Sequence, residues 1–558
     1  MFWFLPVPGS NARHRCFGVV ASLLLAATPV VAAPARAAEV LELQLDGMAI
    51  PINLAQLEAW SRNPDRDRSE LAVWLSLLDP RSRRNLVQLL NAPLLQEKSL
   101  GEQLLTSWTG EQLLAEVAEL LQPDPGSAPG AGSGSQSDST RAAALLRQTL
   151  VTLLSRERQV TTLQLLRAIP AQRVSLRLDG LIVLAAQWRE QLQLQRQALQ
   201  QLGQLGLPLR QSQALALSHS TSRASVRQPL AVGHRGEPLP LQIWPADRPL
   251  QGPWVVLMPG LGGDGDQLSW LAAGLARWGW PVVVLDHPGS DERALKAAMV
   301  GLQHPPGADS LDERLADVAA VVTAQRAGKL RALNAPPGAP VVLMGHSLGG
   351  LTALLAAGLQ PEAGLPQRCR QSLKRLPLTN LSRLLQCQLP QDLPHLPAGT
   401  QVAAVVAYNG FGSLLWPAQG TSRLAPPVLL AGGSLDLITP PLSEQLGLFA
   451  GQRHPRSRLL LLEGGSHFSP VRVGNQQDAL FQLGEDLVGI SPRAAQDLLL
   501  PLTIEFLQGL QQPLLLSPQI RMQNGIRAHV LDGRQARRWQ QRIKTPAVDP
   551  AAPPARQP

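Results

Sequence analysis

Apolar residues follow one pattern in the first third of the chain and another in the rest. Between Glu39 and about Ala198, leucine-rich stretches such as LAVWLSLLD and GEQLLAEVAELL repeat their apolar residues at intervals of three and four. This spacing places the apolar side chains on one face of an α-helix. The pattern therefore predicts an all-helical N-terminal domain over residues 38–198.

The pattern changes after about Arg223, where short and uninterrupted apolar runs begin to alternate with amphipathic stretches. Uninterrupted runs of this length are typical of strands buried on both faces, as in parallel sheets. Alternating strands and helices predict an α/β domain over residues 199–515, with a mostly parallel open sheet and helices on both faces. The predicted strands are 254–258, 281–286, 340–345, 402–408, 426–432 and 458–463, and the predicted helices are 267–278, 311–327 and 348–358.

Three segments interrupt or follow these patterns. Residues 123–140 are rich in Gly, Ser and Pro, which predicts a flexible insertion. Residues 361–400 break the alternation of strand and helix, and a segment of this length is either a lid over a site or a packing loop. Residues 516–558 are basic and Pro-rich, which predicts a C-terminal tail.

The first 37 residues predict an export signal. A positive segment at residues 13–15 precedes an apolar stretch, and residues 35–37 (ARA) fit a cleavage site. An uncleaved membrane anchor is the alternative, although the apolar run is shorter than the roughly 20 residues of a spanning helix. Export predicts a periplasmic or extracellular protein, in which Cys369 and Cys387 form a disulfide or remain two buried thiols.

The distribution of charged residues limits the kinds of partner that the sequence predicts. The net charge is +9, and much of the excess lies beyond residue 515, where Asp532 is surrounded by arginines. Such a segment either contacts an anionic membrane surface or is a solvated tail. Nucleic-acid binding is not predicted, because no nucleic-acid motif accompanies the charge.

A nucleophile motif lies between a predicted strand and a predicted helix. Gly345-His346-Ser347-Leu348-Gly349 follows the apolar run VVLM and precedes the helical stretch LGGLTALLAAG. In this context a G-x-S-x-G sequence forms a strained turn that exposes the serine hydroxyl, and the glycines remove side chains that would collide there. Ser347 is therefore the candidate nucleophile, in a turn formed with Gly345 and Gly349.

Two later strand ends supply a candidate base and a candidate acid. A serine hydroxyl needs a base within hydrogen-bond reach and a third group that holds the base in the right tautomer. His467 follows the strand RLLLLE, Asp436 follows the strand PPVLLAG, and the chain order Ser, Asp, His is typical of this arrangement. The alternative for Asp436 is that it caps a turn while another carboxylate serves. The remaining histidines near strand ends and in loops are interpreted as structural or substrate-lining: His287, His304, His346, His395 and His454.

The glycine-rich loop MPGLGGDGD after the first parallel strand supplies a candidate oxyanion hole. Two backbone N–H groups must point at the oxygen that gains charge in the tetrahedral intermediate. Leu348 follows the nucleophile and provides one candidate donor, and Leu261 in the loop provides the other. The loop lacks the spacing of phosphate-binding motifs. Neither a metal nor an organic cofactor is predicted.

The chain from about Gly252 to Gly509 resembles α/β-hydrolases of the esterase and lipase kind. The run VVLMPGLGGDGDQLSWLAAGLARWGWPVVVLDHPGSD is similar to dienelactone-hydrolase-like and platelet-activating-factor-acetylhydrolase-like members. Ser347 departs from true dienelactone hydrolases, which carry a cysteine nucleophile. Asn409 stands where the acetylhydrolases carry the triad acid, so Asp436 must take that role. The N-terminal part resembles a domain of unknown function that is fused ahead of such hydrolases.

The resemblance implies the α/β-hydrolase fold and a serine hydrolase. The expected reaction is hydrolysis of carboxylic esters, with small-molecule or lipid esters as substrates, through an acyl-enzyme on Ser347. A peptidase or amidase is one alternative, because the same triad cleaves amides. A non-catalytic binding protein on a hydrolase scaffold is the other, since fold alone does not name a function.

Overall fold

The computed structural model describes most of the chain beyond residue 37. The described residues are 38–91, 93–95, 108–124, 138–157, 160–211, 225–246, 252–299, 302–304, 306–374, 377, 379–471, 490–511 and 516–544. The predicted signal at 1–37 and most of the predicted insertion at 123–140 lie outside the described residues. Within the described ranges, no helix has the length and apolar character needed to span a membrane.

Strands and helices alternate through much of the chain. The strands are β1 (Val40–Leu45), β2 (Met48–Asn53), β3 (Pro93–Leu95), β4 (Leu121–Pro123), β5 (Val160–Thr161), β6 (Arg173–Arg177), β7 (Leu209–Gln211), β8 (Val226–Leu230), β9 (Leu239–Trp244), β10 (Trp254–Met258), β11 (Val282–Leu285), β12 (Val341–His346), β13 (Val402–Tyr408), β14 (Val428–Gly433), β15 (Arg458–Leu462), β16 (Gln519–Gln523) and β17 (Ile526–Leu531). The helices are α1 (Leu54–Arg62), α2 (Glu70–Leu75), α3 (Pro80–Asn91), α4 (Trp108–Leu120), α5 (Asp138–Arg156), α6 (Thr162–Ala168), α7 (Leu178–Gly203), α8 (Ser269–Arg277), α9 (Glu292–Met299), α10 (Leu311–Arg326), α11 (Leu348–Ala356), α12 (Leu365–Ser372), α13 (Ser382–Gln386), α14 (Gln445–Phe449), α15 (Pro492–Gln511) and α16 (Gly533–Lys544).

The large sheet contains eleven strands in the order β7-β16-β17-β15-β14-β13-β12-β10-β11-β9-β8. The six strands from β15 to β11 in this order are parallel, and they are the six that the sequence predicts. Along β10, Val255 and Leu257 pack on one face while Val256 and Met258 pack on the other. Burial of both faces explains why the apolar runs are uninterrupted. The predicted open α/β architecture is confirmed.

The prediction of an all-helical N-terminal domain is wrong. Strands β1, β2, β4 and β6 form a four-stranded sheet in the order β2-β1-β6-β4, and helices accompany it around a separate apolar core. The stretch VLELQLDGMAIPIN alternates apolar and polar residues through β1. Asp46 and Gly47 have φ of 49° and 77°, as a two-residue hairpin turn requires. The alternation in β1 and the Asp-Gly turn signal therefore determine the local structure, although the surrounding sequence has a helical pattern.

The predicted domain boundary at residue 198 falls inside α7. Ala198 and Leu202, near the end of this helix, are buried in the core beneath the large sheet. The indole Nε1 of Trp539 donates a 2.7 Å hydrogen bond to the carbonyl oxygen of Ala198. The described residues from 38 to 544 belong to one compact unit. The helix therefore continues from the N-terminal region into the core of the large sheet.

The predicted tail at 516–558 is also corrected, because residues 519–544 are folded. Strands β16 and β17 pair antiparallel, and β17 adds to β15 at the edge of the parallel strands. Asn524 and Gly525 connect them with φ of 51° and 80°. The basic side chain of Arg521 does not mark a tail, because it forms an ion pair with Glu505. Residues 545–558 lie outside the described residues.

The segment 361–400 carries α12 and α13 and lies against the loop that follows β14. Cys369 and Cys387 form a disulfide, with Cα atoms 5.6 Å apart, which resolves the alternative of two free thiols. The N–H of Ser382 donates to the carbonyl oxygen of Ile438 over 2.9 Å. The amide of Asn380 donates to the carboxylate of Glu444 over 2.5 Å.

Candidate active site

The nucleophile motif forms a tight turn between β12 and α11. Ser347 has φ of 53° and ψ of −117°. This backbone conformation is unfavourable for every residue except glycine. A Cβ atom on Gly345 would lie 2.3 Å from the backbone of Gly349. A Cβ atom on Gly349 would lie 2.2 Å from the carbonyl oxygen of Met258. Neither position has room for a side chain, which explains both glycines.

The structure brings the three predicted triad residues together. The Nε2 atom of His467 lies 2.9 Å from the hydroxyl oxygen of Ser347, which is 120 positions away in the chain. The Nδ1 atom of His467 lies 3.0 Å from Oδ2 of Asp436. All three side chains are buried. The carboxylate, imidazole and hydroxyl therefore form one continuous hydrogen-bonded chain, the geometry that activates a serine.

The carboxylate of Asp436 is surrounded by donors. Its Oδ1 accepts the backbone N–H groups of Ile438 and Thr439, each over 2.8 Å. Its Oδ2 accepts the Asn409 amide at 2.7 Å and the Thr439 hydroxyl at 2.5 Å. Burial alone would raise the pKa of Asp436, but the charge of His467 and these hydrogen bonds lower it below its ordinary value. The group therefore stays ionised and holds His467 with Nδ1–H facing it.

Three residues that contact this acid are not identified by the sequence analysis. Asn409 appears in the sequence only as a residue that cannot serve as the acid, and Thr439 is one hydroxyl among many. Gln195 is a third, because its buried Nε2 donates to the backbone carbonyl of Asp436 over 3.3 Å. It belongs to α7, so the helix from the N-terminal region reaches the acid. Nothing in a leucine- and glutamine-rich helix signals that contact before the fold is known.

The two candidate oxyanion donors flank Ser347. Leu348 is the first residue of α11, and the first N–H groups of a helix have no partner within it. A Cβ atom on Gly260 would lie 3.2 Å from Cβ of Ser347, so the glycine-rich loop passes directly beside the nucleophile. Leu261 is the next residue of that loop. Leu261 and Leu348 therefore both stay candidate donors of an oxyanion hole.

His346 packs against the base and is hydrogen-bonded to its backbone. Its Nε2 donates to the carbonyl oxygen of His467 over 2.8 Å, and the two ring centroids are 5.0 Å apart. Burial, together with the charge of His467, lowers the pKa of His346 to about 3. His287 is also buried, with Nδ1 2.8 Å from Asp317, and burial lowers its pKa to about 4. Both are neutral groups inside the fold, which agrees with a structural role.

These buried histidines make the free energy of unfolding depend on pH. Their folded pKa values lie below the unfolded value of about 6.5, so the unfolded chain binds more protons in acid. Stability is fully present above about pH 6.5 and is lost as pH falls from there towards 4. We expect His346→Gln, which retains a donor for the His467 carbonyl, to show a shallower loss. Urea denaturation from pH 8 to pH 4.5 measures it.

The range above pH 7.5 is the internal control for that experiment. There both proteins carry a neutral side chain at position 346, so the difference between their unfolding free energies should be constant. Curves that remain parallel down to pH 4.5 would show that His346 does not contribute to acid sensitivity.

Two family models match separate parts of the chain. Residues 37–177 match a family described as "Alpha/beta hydrolase of unknown function (DUF1400)". Residues 252–365 match the family "Serine aminopeptidase, S33", and this range includes the glycine-rich loop and Ser347. No curated protein matches the chain significantly. Neither description names the dienelactone-hydrolase-like or acetylhydrolase-like kind, so that narrower resemblance stays a prediction. The two matches, together with the large parallel sheet, show that this chain has the α/β-hydrolase fold.

Proposed function

We propose that this chain is a serine hydrolase that cleaves carboxylic esters, lipid esters among them, through an acyl-enzyme on Ser347. The observation that carries the proposal is the unbroken chain of hydrogen bonds from Asp436 through His467 to Ser347. A hydroxyl becomes a useful nucleophile only when such a base accepts its proton. The hydrolase descriptions of both matching families support the reaction class.

Each group has a proposed role in this reaction. Ser347 Oγ attacks the ester carbonyl while His467 Nε2 takes its proton, and Asp436 stabilises the imidazolium that forms. The N–H groups of Leu261 and Leu348 receive the negative charge on the carbonyl oxygen. His467 then protonates the leaving alcohol. In the second half of the reaction it takes a proton from water, whose oxygen attacks the acyl carbon. The bond from that carbon to Ser347 Oγ then breaks, His467 returns the proton to Oγ, and the acid is released.

Apolar surface beside the base favours esters over peptides. Phe468 follows His467 directly, is 38% exposed, and presents a ring whose centroid is 5.4 Å from that of the imidazole. Leu261 is a second apolar residue, partly buried, in the glycine-rich loop that passes beside Ser347. An apolar rim removes an acyl chain from water at about 0.8 kcal/mol per methylene. The kcat/KM for ester substrates should therefore increase with acyl length until the apolar rim is filled.

Peptide hydrolysis is the second candidate, because the matching family at residues 252–365 is described as a serine aminopeptidase. The triad chemistry is the same for amides and esters, so the distinction rests on substrate recognition. An aminopeptidase must also bind the ammonium group of its substrate, which requires acidic or carbonyl partners near the nucleophile.

A matched substrate panel separates the two. Nitrophenyl esters of increasing acyl length and aminoacyl nitroanilides release chromogenic products, and Ser347→Ala reports any background activity. We expect kcat/KM for the best ester to exceed that for the best anilide by about 100-fold. The proposal fails if anilides with a free amino group are the better substrates. In that case the aminopeptidase function replaces the esterase function as the proposal.

Location and access are also proposed. The disulfide of Cys369 and Cys387 supports an exported protein, because disulfides persist in oxidising compartments.

The segment 361–400 contacts the loop of Asp436 through Ser382, which supports its role as a cover for the site. Helix α16 buries Trp539 and exposes arginines on the opposite side, which supports contact with an anionic membrane surface.

A further inference from the structure

Arg314 is a buried arginine whose three donor nitrogens all bond neutral oxygens. It lies on α10 and is 1% exposed. Its Nη2 donates to the carbonyl oxygen of Pro259 over 2.5 Å, and its Nη1 donates to the hydroxyl of Ser290 over 2.8 Å. Its Nε lies 3.4 Å from the hydroxyl of Thr352. Burying a guanidinium is costly, so these contacts need an explanation beyond general packing.

All three acceptors are connected to the candidate oxyanion hole. Pro259 precedes Leu261 by two residues and has no N–H, so its carbonyl is the only hydrogen-bonding group that its backbone offers. The backbone carbonyl of Ser290 accepts the N–H of Gly262 over 2.9 Å, on the other side of Leu261. The guanidinium therefore contacts the loop directly at Pro259, and it contacts the hydroxyl of Ser290, the residue whose carbonyl accepts the Gly262 N–H.

The third contact reaches the other donor. The hydroxyl of Thr352 donates to the carbonyl oxygen of Leu348 over 2.8 Å, one turn back along α11. Arg314 meets that hydroxyl through Nε. One side chain thus joins the loop of Leu261 to the first turn of the helix that begins with Leu348.

We propose that Arg314 is a positioning residue that fixes the separation of the Leu261 and Leu348 amides, and so the stabilisation of the oxyanion. This inference rests on the proposed hydrolase function. Preorganised donors act on the transition state more than on the bound substrate, and a small displacement reduces their effect. Arg314 touches no reacting atom. Its loss should lower kcat while leaving KM nearly unchanged.

Arg314→Met and Arg314→Lys test the inference with a nitrophenyl ester and a trifluoromethyl ketone, whose adduct with Ser347 carries an oxyanion. We expect Arg314→Met to lower kcat by about 30-fold and to weaken ketone binding by a similar factor, with KM within about twofold. Lysine can donate to one or two of the acceptors, so Arg314→Lys should recover part of the loss.

Arg458→Met is the matched control. Arg458 is also buried and also donates to backbone carbonyl oxygens, those of Pro455, Ser457 and Leu516. It lies at the start of β15, away from the strand end that precedes His467. We expect this variant to lose stability while kcat and ketone affinity stay at the wild-type level.

Thr352→Val decides the question should Arg314→Met not fold, because it removes only the hydroxyl between Arg314 and Leu348. We expect kcat to fall about fivefold, with ketone affinity falling in parallel. Wild-type kcat in every folded variant, or a rise in KM alone, would overturn the inference. Failure of the hydrolase function would look different, since the wild-type protein itself would then neither turn over esters nor bind the ketone.

Discussion

Ser347→Ala is expected to abolish labelling by a fluorophosphonate probe and to lower kcat for ester hydrolysis by a factor on the order of 10⁶. The hydroxyl lies 2.9 Å from Nε2 of His467, and alanine removes the only atom there that can form the acyl-enzyme. Intact-protein mass spectrometry measures the adduct. The wild-type chain should gain one phosphonyl group, and the variant should gain none.

Ser457→Ala is the control for labelling. Ser457 is buried and accepts the N–H of Val428 at the start of β14, far from the strand end that precedes His467. This variant should label like the wild-type chain. Retention of the label in Ser347→Ala would show that another residue is the nucleophile. A wild-type chain that never labels would favour the non-catalytic scaffold.

The backbone at Ser347 adds a second measurement to the same experiment. Glycine tolerates φ of 53° without the steric cost that a Cβ atom imposes, a cost of about 1–2 kcal/mol. Ser347→Gly should therefore be inactive and yet more stable than Ser347→Ala by about 1 kcal/mol. That combination would show that the strain is retained for the chemistry of the serine side chain.

The sequence predicts the parallel sheet well for a physical reason. Strands covered by helices on both faces need apolar residues at every position, so each appears as an uninterrupted run between polar loops. Catalytic side chains in this fold follow strand ends, and the same runs therefore indicate where Ser347, Asp436 and His467 lie. Three local patterns were enough to select three residues that the structure brings together.

Two hairpins were missed although their signals are present. Asp46-Gly47 and Asn524-Gly525 are the dipeptides that two-residue hairpins favour. Polarity alternates in the strand before the first and in both strands beside the second. Leucine-rich neighbours suggested helices for the first, and positive charge suggested a solvated tail for the second. Average composition outweighed the local turn signal in both cases. Turn dipeptides flanked by period-two alternation deserve priority over the composition of the surrounding segment.

Other contacts have no sequence signal. Arg314 follows Asp312 and Glu313 in a helix whose charged residues suggest a solvated face, yet its side chain is buried. Gln195 and Asn409 reach Asp436 only because α7 and the end of β13 pack beside the loop after β14. Such partners depend on distances across the fold, which no local spacing encodes.

Asp436→Asn is expected to lower kcat by about 10⁴-fold. The carboxylate accepts Nδ1–H of His467 over 3.0 Å, and an amide nitrogen in that place would favour the wrong tautomer of the imidazole. Thr439 and Ile438 can still donate to the remaining amide oxygen, so the loop should keep its shape. Thermal unfolding should confirm that the variant is folded while ester turnover reports the loss.

The neighbouring amide makes a sharper test available, because Asn409 Nδ2 and His467 Nδ1 contact the same oxygen of Asp436. In the double variant Asn409→Asp, Asp436→Asn the charge moves by one hydrogen bond and stays next to the imidazole. We expect kcat about tenfold above that of Asp436→Asn, because a carboxylate again favours the productive tautomer and stabilises the imidazolium. Asn409→Ala, Asp436→Asn is the control and should show no recovery. If the two double variants are equally inactive, a carboxylate at position 409 cannot reach the base, and the requirement for the acid is one of position as well as charge.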